Sequence, residues 1–135
     1  SNSKRMANVD SLLVMLERIE QNLLFDDFDI LLVGDYNCYT QEQPIQRIIQ
    51  AGYKDMVMHY DSLGYSYIYQ SEAGYLDRVF ASPSMAKQVE MVKPYHLNAD
   101  YYYSRSYKRR LDKTKFRYAD HDPILISIRL NNEKK

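Results

Sequence analysis

Three short polar clusters carry side chains able to activate water or hold a charged oxygen. The first, Gly34-Asp35-Tyr36-Asn37, directly follows the apolar run Ile30 to Val33, and strand C-terminal ends are where α/β sheets bind ligands. Asp35 and Asn37 stand two apart, so a continuing extended backbone would aim an anionic acceptor and a neutral amide donor the same way. Such a pair can orient a water and hold a phosphate oxygen; the alternative is an ordinary polar turn. The second cluster, Ala119-Asp120-His121-Asp122-Pro123, sets a histidine between two carboxylates. Neutral imidazole accepts a proton and charged imidazolium stabilises a developing oxyanion. A histidine that only caps the start of a strand is the alternative, but three titratable residues in a row are hard to explain by packing. The third is Asp77, inside the otherwise apolar and aromatic Tyr75 to Phe80. A carboxylate there needs a partner, because burying an unpaired charge is expensive. Arg78 points to the opposite face of a regular strand, so His121 is the better partner: a carboxylate on one ring nitrogen fixes the tautomer and raises the basicity of the other. A surface aspartate on an edge strand is the competing reading of Asp77.

The elements that must position these groups follow from periodicity. Leu12, Leu16, Ile19 and Leu23 recur at helical spacing and predict a helix over Val9 to Leu24 with one buried face. After Asp26-Asp27, Ile30 to Val33 is apolar on both faces and short, as in a buried strand. Pro44 suits a helix start, Ile45, Ile48 and Ile49 form its stripe, and Gly52 sits where a left-handed cap is wanted. Tyr65 to Tyr69 predicts a strand that turns at Glu72-Ala73-Gly74 into a second strand, Tyr75 to Ser82. A short helix at 83–88, a strand from Val89 to Tyr95 and a last strand from Ile124 to Leu130 complete the pattern. The expected class is α/β or α+β, a mixed sheet with helices covering one face.

The 135 residues suffice for one domain, or part of one. Eighteen basic residues balance eighteen acidic ones, so net charge selects no partner. The distribution is less even: between Arg105 and Arg117 stand seven basic residues, Lys108, Arg109 and Arg110 among them, against the single acid Asp112. Interleaved tyrosines give the 101–117 segment the means to neutralise phosphates and stack on bases; a solvated insertion is the alternative. Cys38 is the sole cysteine, which excludes an intrachain disulfide. No apolar run reaches the length of a bilayer span.

In their order along the chain, these motifs resemble the endonuclease/exonuclease/phosphatase family, especially its bacterial extracellular-nuclease-like branch. The resemblance rests on Ile30 to Tyr39 (ILLVGDYNCY), Glu42 to Asp55, Tyr65 to Ser84 with its Leu-Asp strand, His96 to Asp100 (HLNAD), and Tyr118 to Pro123, similar to a Ser-Asp-His-x-Pro motif with Ala119 in place of the serine. It spans about residues 10–130. It implies that Asp35 aligns or deprotonates the attacking water, Asn37 binds the scissile phosphate, His121 transfers a proton or stabilises the transition state, and Asp77 orients His121. Asp35 and Asp120 would face a Mg2+ or Mn2+ ion. The reaction implied is phosphodiester hydrolysis, on nucleic acid or on another phosphodiester; a phosphatase of lipid or small phosphoesters and a noncatalytic binding domain are alternatives. The family fold is a four-layer α/β/β/α sandwich, so residues 1–135 would form its C-terminal part, without the metal-binding glutamate of the N-terminal half. Leu31, Val33, Val79, Ile126 and Ile128 would then line an inner face covered by that half or by a second copy, and the chain alone would hydrolyse little. The branch implied is largely secreted or envelope-associated.

Overall fold

The computed structural model describes residues 1–22, 28–101 and 118–130. Leu23, the Asp26-Asp27 turn, and Lys108, Arg109 and Arg110 lie outside the described residues. Helix α1 runs over Asn2–Asn22, earlier than its periodicity predicts, and buries Val9 and Leu16. Ile19, expected on the same face, is exposed. Strand β1 is Leu31–Asp35 and helix α2 is Gln43–Gln50. Helix α2 opens with Pro44 in its first turn and ends as the sequence predicts: Gly52 takes φ 98° while its N–H bonds Ile49 O and that of Tyr53 bonds Ile48 O. This closure satisfies two terminal carbonyls and needs a residue free of a Cβ penalty.

The remaining elements are β2 (Lys54–Asp55), α3 (Met56–Tyr60), β3 (Tyr67–Tyr69), β4 (Glu72–Gly74), β5 (Asp77–Ala81), α4 (Pro83–Ala86), β6 (Val89–Pro94) and β7 (Ile124–Ile128). The α/β class is as expected. Among the described residues, however, the strands form separate antiparallel sheets, β1-β5-β2, β3-β4 and β6-β7, where one mixed sheet was predicted. The hairpin also differs. Its turn is Gln70-Ser71, both at positive φ, so β3 pairs with β4 and the strand predicted to follow becomes the centre of another sheet. Two consecutive left-handed residues give the turn whose twist suits a two-residue hairpin, usually built with Asn and Gly. Neither is present here, which hid it.

Side-chain alternation along β1 and β5 divides the core. Leu32 and Phe80 pack with α1 and α2 residues Val9, Leu16, Ile45 and Ile48. On the other face Val79 and Ala81 join Met56, Val57, Val89 and Val92, with Leu31, Ile124 and Ile126 against them. The expected open inner face is therefore only partly open: Val79 is 1% exposed because the β6-β7 pair contributes to its cluster, whereas Val33 is 58% exposed on edge strand β1.

Among the described residues Arg78 is the largest fully buried side chain. As alternation requires, it turns away from the neighbouring Asp77 and bonds Asp55 Oδ2 at 3.0 Å, Thr40 Oγ1 at 2.8 Å and Tyr75 O at 3.0 Å. Burial pulls its pKa down, opposed by Asp55. Asp55 also caps α3 by accepting from Met58 N. Removing one member of a buried ion pair strands the other charge, at a cost of about 3–5 kcal/mol. Arg78→Met in the full-length protein is expected to lower urea-unfolding stability by about that amount; a loss under about 1 kcal/mol would show the pair to be dispensable.

Candidate active site

Antiparallel pairing of β1 with β5 sets Asp35 directly opposite Asp77. The chain then leaves the sheet. Tyr36 N still bonds Leu76 O, but Asn37 adopts φ 50°, so the extended backbone that would align Asp35 with Asn37 ends there. Asp35 instead grips the turn: its Oδ1 accepts from Asn37 N at 2.7 Å and its Oδ2 from Asn37 Nδ2 at 3.1 Å. This is an Asx-type turn, which left-handed Asn tolerates well. Arg5 of α1 holds the same loop, donating to Asn37 O and pairing with Glu42 at 2.8 Å.

His121 arrives from the far end of the chain. Its backbone forms a bridge with Tyr67, Asp122 N donates to Ser66 O at 2.7 Å, and the Tyr67 and His121 rings lie 4.5 Å apart. His121 Nδ1 then stands 2.7 Å from Asp77 Oδ2, the pairing expected from sequence. Both side chains are about one-fifth exposed. An ionised carboxylate only accepts, so this contact puts the proton on Nδ1 and leaves the Nε2 lone pair for chemistry. Asp35, Asp77 and His121 each bring one ligand atom within 4.8 Å of the others. Asp120 is exposed and stands outside this group of three.

Ser66 was missed by sequence reasoning. Fully buried, it donates to Asp77 Oδ2 at 2.6 Å, so that oxygen meets both a hydroxyl and the imidazole. The available signal was slight: a lone small hydroxyl between Tyr65 and Tyr67 where an aromatic stretch would otherwise continue.

Asp122, 2% exposed, carries structure next to His121. Its Oδ1 accepts from the backbone of Leu97, Asn98 and Ala99 at 2.7–3.0 Å, and its Oδ2 lies 2.8 Å from His96 Nδ1. Burial by itself would raise its pKa, but the hydrogen bonds from His96 and from Ala99, Asn98 and Leu97 outweigh burial and hold it below the usual 3.8. A folded pKa below the unfolded one means stabilisation that is present above the unfolded value and fades as pH falls through it toward the folded value. The stability gap between the wild type and Asp122→Asn should therefore be widest near neutrality and narrow below the unfolded value of 3.8. Urea titrations across that range test this; a gap independent of pH would remove the linkage.

The chain superimposes on a solved structure titled an endonuclease/exonuclease/phosphatase family protein from Bacteroides thetaiotaomicron, with a TM-score of 0.64 and 17% sequence identity. The match covers 92% of this chain and 43% of that chain, so these residues span less than half of the other protein's length. At this identity the likeness shows a shared fold. No family model matches the sequence. No curated protein matches it either.

Proposed function

We propose that the intact protein is a metal-dependent hydrolase of phosphodiester bonds, in the endonuclease/exonuclease/phosphatase family, and that it acts as a nuclease. The observation that carries this reading is the convergence of Asp35 with the hydrogen-bonded pair Asp77 and His121, brought together from positions far apart in sequence. The shared fold supports the same assignment.

In this mechanism Asp77 holds Nδ1 of His121, and Nε2 takes or returns the proton at the reacting phosphate. Asp35 aligns the attacking water, whose proton passes to Nε2 of His121 and from there to the leaving oxygen. Asn37 directs its amide to a non-bridging phosphate oxygen. Two carboxylates and an imidazole are a donor set suited to a divalent ion. Exposed Asp35 would hold Mg2+ or Mn2+ together with Asp120, which stands outside that group, and with oxygen ligands from elsewhere in the intact protein. Such an ion, when bound, neutralises phosphate charge.

The rest of the family domain would cover the exposed Val33 at the β1 edge, and from the resemblance to the extracellular-nuclease-like branch we propose that the protein acts outside the cell or in its envelope. Among the described residues no helix is long and apolar enough to cross a membrane.

His121→Ala in the full-length protein, assayed on bis(4-nitrophenyl) phosphate and on DNA with Mg2+ present, is expected to lose about a hundredfold or more in kcat with its fold retained. Activity within about twofold of wild type would remove His121 from the mechanism. The nuclease assignment has its own test, since basic residues within 105–117 favour a polyanionic substrate over a small phosphoester. Replacing Lys108, Arg109 and Arg110 with alanine should flatten the slope of log affinity for duplex DNA against log salt, by about 0.9 per lost phosphate contact. An unchanged slope would return that segment to a solvated insertion.

A further inference from the structure

We propose that Asn98 is a positioning residue that aims the His121 imidazole; the inference rests on the reading of His121 as the proton-transfer group. The peptide plane joining His121 to Asp122 is pinned at both ends. Its C=O accepts from Asn98 Nδ2 at 2.7 Å, and its N–H donates to Ser66 O, also at 2.7 Å. A plane held on both sides cannot rotate, so the Cα–Cβ direction of His121 is set by the backbone before its side chain meets Asp77.

Asn98 is itself immobilised. It is 8% exposed, its backbone N–H donates to buried Asp122 at 2.7 Å, and its Oδ1 accepts from Tyr118 N at 2.9 Å. The contacts close a ring: Asn98 to His121, His121 to Asp77, Asp77 to Ser66, Ser66 to Asp122, and Asp122 back to Asn98. Each member has at least two partners in the ring, so a displacement at Asn98 is passed to the imidazole. His96 braces the ring from outside, with Nδ1 on Asp122 and its own ring 4.6 Å from that of Tyr65. Supporting groups of this kind hold a catalytic side chain within the narrow range that proton transfer requires.

Asn98→Asp isolates the effect. It retains an oxygen to accept from Tyr118 N but replaces the donor facing His121 O with a second acceptor, so the plane is released by repulsion at nearly constant volume. In the full-length protein kcat should fall about tenfold to a hundredfold, the scale of a misplaced catalytic group. KM should stay within about twofold, because substrate binding is untouched. Independently of activity, the ring 15N signals of His121 should shift away from the single Nδ1–H tautomer. Folded Asn98→Asp with unchanged ring signals and unchanged kcat per folded molecule, even if less stable, would overturn the proposal and leave Asn98 a structural residue. Altered ring signals alongside a fully active His121→Ala would retain the positioning role and overturn the proton-transfer reading. Asn98→Ala, which deletes the donor without adding repulsion, gives the same readout should the aspartate variant fail to fold.

Discussion

Two carboxylates face each other where β1 meets β5, and much of the surrounding structure follows from the need to accommodate them. Like charges directly opposite on paired strands are destabilising by some tenths of a kcal/mol. The register Asp35 to Asp77 is nevertheless imposed by the apolar pairs behind it, Leu32 with Phe80 and Leu31 with Ala81, because a one-residue slip would send each buried side chain to the opposite face and into the wrong one of the two clusters. Each carboxylate is therefore given its own donors. Asp35 takes two from Asn37, at the cost of a left-handed backbone, and Asp77 takes Ser66 and His121. The charges remain, but each has been oriented, and the space between them favours a cation or a proton donor.

Strand β5 carries the second half of this constraint. Asp77 and Arg78 are consecutive, so the pleat sends them to opposite faces, and neither can neutralise the other. The carboxylate goes to the partly exposed position beside His121. The guanidinium goes into the interior, where it needs Asp55, Thr40 and the Tyr75 carbonyl together. A buried pair of this type contributes little net stability compared with apolar residues of the same volume, but it is intolerant of halving. It ties β5 to β2 and to the start of α3, which locks the strand that presents Asp77.

The same contrast governs what could be read in the sequence. Asp77 with His121 was legible because a charge within an apolar strand demands a partner and few partners exist. The stripe of α2 and its glycine cap were legible for equally local reasons. Ser66 and Asn98 were not, since neutral polar residues in loops have no period and no charge to balance; their roles exist only once Tyr67 and His121 have bridged. The hairpin was misplaced because Gln70 and Ser71 occupy left-handed positions without the residues that announce them. Ile19 follows the helical stripe yet lies beyond the stretch of α1 that α2 and β1 cover, a matter of tertiary reach that periodicity cannot encode. The separation into several sheets was likewise invisible, because pairing partners are chosen by packing after the strands exist.

Under the proposed mechanism the work divides unequally among the residues. The proton-transfer machinery, His121 with Asp77, Ser66, Asp122 and Asn98, is closed on itself by hydrogen bonds and braced by His96 and the Tyr118 backbone. The phosphate-facing machinery is different: Asp35 and Asn37 are exposed and oriented mainly by each other and by Arg5. An open pair of this kind can orient a water, yet it offers too few oxygen ligands to surround a magnesium ion by itself. Proton transfer depends on fixed angles over short distances, which a local hydrogen-bonded ring supplies. Charge neutralisation acts over a longer range and can be supplied across a domain by groups on the facing layer. Under that proposal, residues that match 43% of the longer structure's length would carry the proton-transfer groups together while contributing only part of the charge neutralisation.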